Sequence, residues 1–173
     1  MTVLEALKPP VRQMSRYFNE TSLRRDILNR VGAHIDEKTK VVIGHSLGCV
    51  VAYEALWELA DSRSRNNVDL LLTVGSPLGL PPIYNRLRRR PHGPPTGIRS
   101  WVNIVDPNDI VAAAHDHAKL FPDPHRGDVA RRTEMTGKPL SVDNGSAPHA
   151  GTHYLIKQVC AFHIAKALDP PPS

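Results

Sequence analysis

The chain contains only two cysteines among its 173 residues, Cys49 and Cys160. Neither stands in a spacing that would hold a metal or form a redox pair, and so isolated a pair fits a reducing compartment. No apolar run approaches the ~18 residues of a spanning helix. The first ten residues, Met-Thr-Val-Leu-Glu-Ala-Leu-Lys-Pro-Pro, lack the charged segment and apolar stretch of a secretory leader. The expectation is a cytoplasmic protein. No glycine-rich loop followed by lysine is present to cradle a phosphate, no internal repeat is visible, and no linker divides the chain. What remains is ordinary for one globular domain over 1–173: 40% apolar and 23% charged residues, and enough length for one sizeable core.

Charge and proline are less evenly spread. The net charge is +5, with a local cluster at Arg86, Arg88, Arg89 and Arg90. No aromatic residues interleave with these arginines as in a nucleic-acid module, so they read as the solvated end of a helix and no nucleic-acid partner is expected. The sixteen prolines gather in 77–95, in 122–148 and at the C-terminus, which marks those stretches as loops.

Apolar residues at Val11, Met14, Tyr17, Phe18, Leu23, Ile27, Leu28, Val31 and Ile35 recur at helical spacing. A break is expected near 19–22, with Thr21 or Ser22 as N-cap. Val41-Val42-Ile43 is a short β-branched run stopped by glycine, which predicts a buried strand. A helix is expected over 47–59, a strand over 69–74, a helix over 83–90 and a strand over 100–105. Residues 112–139 read as loop with one helical turn. A short strand over 140–142 and a closing amphipathic helix over 153–168 complete the chain. Strands alternating with helices predict an α/β fold with a mainly parallel sheet and flanking helices. Ligands of such sheets bind beyond the carboxyl ends of the strands. Ser46, Ser76, Asp106, Asp109 and His149 all fall just after a predicted strand.

The sharpest motif is Gly44-His45-Ser46-Leu47-Gly48. A strand leads into it and a helix leads out, the setting of a serine held on a strained turn. Small residues are expected on both sides of that turn, and Gly44 and Gly48 supply them. The helix N-terminus favours developing negative charge, and the Leu47 N–H is placed to donate to an oxyanion. The bland reading is a serine that merely caps the helix. A serine nucleophile needs a base, and the base an orienting carboxylate.

Four segments together carry a resemblance. Gly44 to Gly48 looks like the elbow of lipases, esterases and thioesterases. Thr73-Val74-Gly75-Ser76-Pro77-Leu78-Gly79 resembles the strand after that elbow in many bacterial members. Trp101 to Val111 is similar to the acid-bearing segment, and Val142-Asp143-Asn144-Gly145 through His149 to Tyr154 resembles the histidine loop. The chain thus resembles the α/β-hydrolase superfamily over about 40–168. The resemblance implies an esterase- or lipase-like serine hydrolase with Ser46 as nucleophile, His149 as base and Asp109 as acid. Asp106 and His153 are the alternates for the last two roles. It implies no cofactor and a small ester or thioester substrate.

The resemblance also exposes a difference. Members of that superfamily carry several strands before the elbow, and a loop after one of them gives the second oxyanion donor. Here residues 1–40 read as helix, so an N-terminally truncated fold is expected. A sheet without those strands would leave a hydrophobic edge that invites self-association. The alternative is therefore a weak or inactive hydrolase-like domain with an interaction role. His115, Asp116, His117 and His125 invite a metal reading, but their proline-rich surroundings favour a solvated loop. Cys49 reads as a small core residue, and Trp57 and Trp101 as core or rim aromatics.

Overall fold

A computed structural model describes residues 3–62, 67–112, 116–125, 127–128 and 132–169, with backbone only over 3–10. The elements are α1 (Val3–Asn19), α2 (Thr21–Gly32), β1 (Val41–His45), α3 (Leu47–Asp61), β2 (Val68–Val74), α4 (Pro81–Tyr84), β3 (Ile98–Val105), α5 (His117–Leu120), β4 (Glu134–Met135), β5 (Leu140–Ser141), α6 (Gly151–Leu155) and α7 (Gln158–Leu168). The five strands form one sheet in the order β1-β2-β3-β4, and every strand pair is parallel. The short strands β4 and β5 share the outer side of β3: β4 pairs at Ser100 and Trp101, and β5 at Ile104 and Val105. The chain is thus an α/β protein with a parallel sheet flanked by helices. No described helix is long and apolar enough to cross a membrane.

The central strand explains the layering. Every residue of β2 is buried, and alternate side chains point to opposite faces of a strand. Leu71 joins Tyr17, Leu28, Val50, Tyr53, Leu56 and Trp101 in a cluster with α1, α2 and α3. Leu70, Leu72 and Val74 join Val102, Ile104, Tyr154 and Cys160 on the other face. Both faces are therefore covered, as an all-parallel sheet requires. Trp57 and Trp101 are both core residues.

A buried ionic cluster with no local signature in the sequence ties the helical layer together. Arg24 on α2 reaches Glu54 on α3 through two hydrogen bonds, the Nε one at 2.9 Å. Tyr17 donates its hydroxyl to the same carboxylate at 2.6 Å, and the Arg88 backbone N–H donates to it at 3.0 Å. The expected helix over 83–90 is corrected: α4 ends at Tyr84, Arg86 and Leu87 close tight turns, and the Arg88 N–H goes to Glu54. The chain there turns toward Glu54, and its arginines face acceptors on neighbouring helices. Arg86 donates to Phe18 O and Asn19 Oδ1, while Arg88 and Arg89 pair with Glu58 and Asp61.

Two further expectations are corrected. The N-cap of α2 is Glu20, not Thr21 or Ser22, and its side chain makes no capping bond because it pairs with Arg16. The closing helix is two helices, with Ile156 and Lys157 between them. The break separates two tasks: Tyr154 reaches under the loop after β3, while Cys160 packs against the sheet.

Removing one partner of the Arg24–Glu54 pair leaves a buried charge without compensation. Glu54→Ala is expected to lower the unfolding free energy by about 3–5 kcal/mol, read from urea denaturation. A loss within ~0.5 kcal/mol, typical of surface positions, would contradict this role.

Candidate active site

The site begins where β1 meets α3. A Cβ on Gly44 would lie 2.7 Å from Cys49 Cα, 2.8 Å from Cys49 N and 2.9 Å from Gly48 O. All three are backbone atoms, so the first turn of α3 rests on the strand at a distance only glycine allows. Gly48 is different: a Cβ there meets nothing within 4 Å. The expectation that both glycines make room for the turn is thus corrected to Gly44 alone.

Ser46 sits between strand and helix at φ 54° and ψ −126°. It is the one non-glycine residue with positive φ among the described residues. Such a conformation costs about 1–3 kcal/mol. Ser46 precedes α3 in the N-cap position, yet its hydroxyl makes no capping bond, contrary to the bland reading. It faces His149, whose Nε2 lies 2.9 Å from Ser46 Oγ. Leu47 is the first residue of α3, where an N–H has no intrahelical acceptor.

The other ring nitrogen of His149 lies 2.9 and 2.8 Å from the two carboxylate oxygens of Asp109. An ionised carboxylate only accepts hydrogen bonds. Nδ1 therefore carries the proton and donates it to Asp109, which leaves Nε2 to accept from the Ser46 hydroxyl. Asp109 is itself anchored, because Oδ1 accepts from Val111 N at 3.0 Å and Ala112 N at 3.3 Å. Burial alone would push the Asp109 carboxyl up. The hydrogen bonds from His149, Tyr154 and the Val111 amide outweigh it and hold the group below 3.8.

Asp106 and His153 lie outside this line and hold it in place. Asp106 Oδ1 accepts from Asn108 N at 2.8 Å, closing the turn after β3. Its Oδ2 accepts from Asn144 N and so fastens the histidine loop to that turn. His153 Nδ1 donates to Asn144 O at 2.9 Å, and Asn144 Nδ2 donates to Pro148 O at 2.9 Å.

Three further residues support this line. His45 Nε2 donates to the His149 carbonyl at 2.9 Å, and the two rings lie 4.8 Å apart. Burial lowers the His45 pKa below 6.5, which favours the neutral ring that this bond uses. Gly75 ends β2 with φ +56°, and a Cβ there would meet Asp109 Oδ2 at 3.0 Å and Tyr154 Cε2 at 3.1 Å. Its position directly after a buried strand was the available signal. Tyr154 donates to Asp109 Oδ2 at 2.8 Å.

Elsewhere, Cys49 donates to Val74 O, and burial pushes its thiol up to about 12, which suits a core residue. Of the histidine-rich loop, His115 lies outside the described residues. Asp116 caps α5 by accepting from Lys119 N, and His117 packs edge-on against Trp101 and Phe121. Among the described residues no group of three or more His, Cys, Asp or Glu could hold a metal. A cavity of about 660 Å³ lined by Lys40, Asp69, Arg99, Arg132 and Glu134 opens at the opposite, amino-terminal ends of β2 and β3.

No family model, no curated protein and no solved structure matches this chain.

The two glycines of the turn are expected to respond differently. Gly44→Ala forces α3 off the strand and costs about 1–3 kcal/mol, the range for an overfilled core. Gly48→Ala is neutral or stabilising by up to ~1 kcal/mol, as for a helical glycine without steric duty. Thermal denaturation of both variants checks this, and equal losses would contradict it.

Proposed function

We propose that the protein is a serine hydrolase of esterase or lipase type, α/β-hydrolase-like, that cleaves an ester or thioester through an acyl-enzyme on Ser46. The observation that carries this reading is the unbroken hydrogen-bonded line from Ser46 Oγ through His149 to Asp109. His149 Nε2 takes the hydroxyl proton as Ser46 Oγ bonds to the acyl carbon. The tetrahedral oxyanion faces the N-terminus of α3, with the Leu47 N–H as donor. His149 then returns the proton to the departing alcohol or thiol as the C–O or C–S bond breaks. Water deacylates the serine by the same steps, with His149 as base. Asp109 orients the ring and stabilises its charged form throughout. The chemistry calls on no cofactor.

The outer edge of β1 favours a second reading. Among the described residues β1 has β2 as its one neighbour in the sheet, and Ile43 on it is 43% exposed. An open apolar edge is a template for pairing with another chain. A hydrolase-like domain with an interaction role would use it, and one oxyanion donor fewer costs about 10²–10³ in turnover.

A fluorophosphonate probe separates the readings. The hydrolase reading predicts covalent labelling of the wild-type chain on Ser46 and none of Ser46→Ala. Equal labelling of both would eliminate Ser46 as the activated nucleophile. Absence of labelling in both would favour the interaction role.

A further inference from the structure

We infer that Tyr154 is a positioning residue that fixes the Asp109 carboxylate for His149, an assignment that rests on the hydrolase reading. Its hydroxyl accepts from the Asp106 N–H at 2.9 Å and donates to Asp109 Oδ2 at 2.8 Å. A phenol has one proton to give. The Asp106 amide can only donate, so it occupies an acceptor position and leaves the proton for Asp109. The direction of the second bond is thereby fixed by the first. The Asp106 amide belongs to the turn that leaves β3, so the hydroxyl ties Asp109 to the end of the sheet.

The carboxylate needs that tie. His149 Nδ1 is almost equidistant from its two oxygens, so His149 alone does not select a rotation of the group. The Val111 and Ala112 amides hold Oδ1, and Tyr154 holds Oδ2. With both oxygens fixed, the carboxylate plane is set and the imidazole conforms to it. The surrounding packing adds to this. Tyr154 is fully buried, and its ring edge and Asp109 Oδ2 both close on Gly75 where a Cβ would stand. Among the described residues, the charged or titratable groups bonded to Asp109 are therefore His149 and Tyr154. The Asp106 carboxylate is turned to the Asn108 and Asn144 amides, and His45 lies against the His149 ring.

A tyrosine that served only as core filling could be replaced by phenylalanine without effect on Asp109. The test is Tyr154→Phe in the full chain, which keeps the ring and removes the hydroxyl. Two readouts are needed: Ser46 labelling by the fluorophosphonate, and the Asp109 carboxyl titration by ¹³C NMR. Loss of one hydrogen bond to a charged group is expected to slow labelling about tenfold to a hundredfold. Without that donor the Asp109 titration moves up. A lowered thermal midpoint with unchanged labelling and unchanged titration would assign Tyr154 a purely structural role and overturn the inference. Failure of the wild-type chain to label would overturn the hydrolase reading, and the NMR titration would still decide the Tyr154–Asp109 bond. Should Tyr154→Phe not fold, replacing tyrosine by 3-fluorotyrosine gives a stronger donor and shifts the Asp109 titration down. An unmoved titration there would equally overturn the inference.

Discussion

Helix α3 lies so close to β1 that the chain between them has no room to turn gently. Gly44 admits the helix backbone where any side chain would collide. Ser46 then takes up the change of direction with a backbone conformation that a residue with a Cβ rarely adopts. The strain is local, but its consequence reaches across the site. A hydroxyl that would otherwise cap the helix is turned outward, beyond the carboxyl end of the sheet, where His149 meets it.

The other half of the site comes from loops, which are seldom rigid unless something ties them. Here the ties are polar and buried. Asp106 joins the turn after β3 to the histidine loop through Asn144, and His153 and Asn144 brace that loop from within. Tyr154 brings α6 under the same turn. The residues around the line thus outnumber the three in it. Each bonds a backbone group, so the chain path holds the geometry, and Tyr154 adds a direct bond to the Asp109 carboxylate. In the proposed hydrolase this is the preorganisation that positioning requires.

Much of this was legible in the sequence. Strands 69–74 and 100–105 announced themselves by runs rich in aliphatic and β-branched residues, because a parallel sheet covered on both faces leaves little polar alternation. Val41-Val42-Ile43 announced a strand too, but not the buried one expected: β1 is an edge of the sheet, where Val41 and Val42 are half-buried and Ile43 is exposed. The order of Ser46, Asp109 and His149 after predicted strands placed them at one end of the sheet. Other features had no local signature. Glu54 reads as one more charged residue on a helix, and its partners, the buried Tyr17 and Arg24 side chains and the Arg88 backbone N–H, come from three other segments. Periodicity over 83–90 overshot α4, because the chain after Tyr84 closes tight turns and then gives the Arg88 N–H to that same carboxylate. Gly44 and Gly48 look equivalent in the motif, and only the distance between strand and helix tells them apart. Tyr154 stands in the sequence only as the end of the segment that resembles a histidine loop, while its hydroxyl bonds depend on a turn 48 residues earlier.

The backbone at Ser46 is held under strain by the approach of α3 to β1, and the site depends on it. Comparing the unfolding free energies of Ser46→Gly and Ser46→Ala tests this most directly, since both remove the hydroxyl and only glycine removes the Cβ. Relief of strain worth about 1–3 kcal/mol exceeds the ~0.5–1 kcal/mol that glycine's chain entropy takes back. Ser46→Gly is therefore expected to be the more stable of the two by about 1 kcal/mol. A Ser46→Ala chain as stable as Ser46→Gly, or more so, would contradict strain at the elbow.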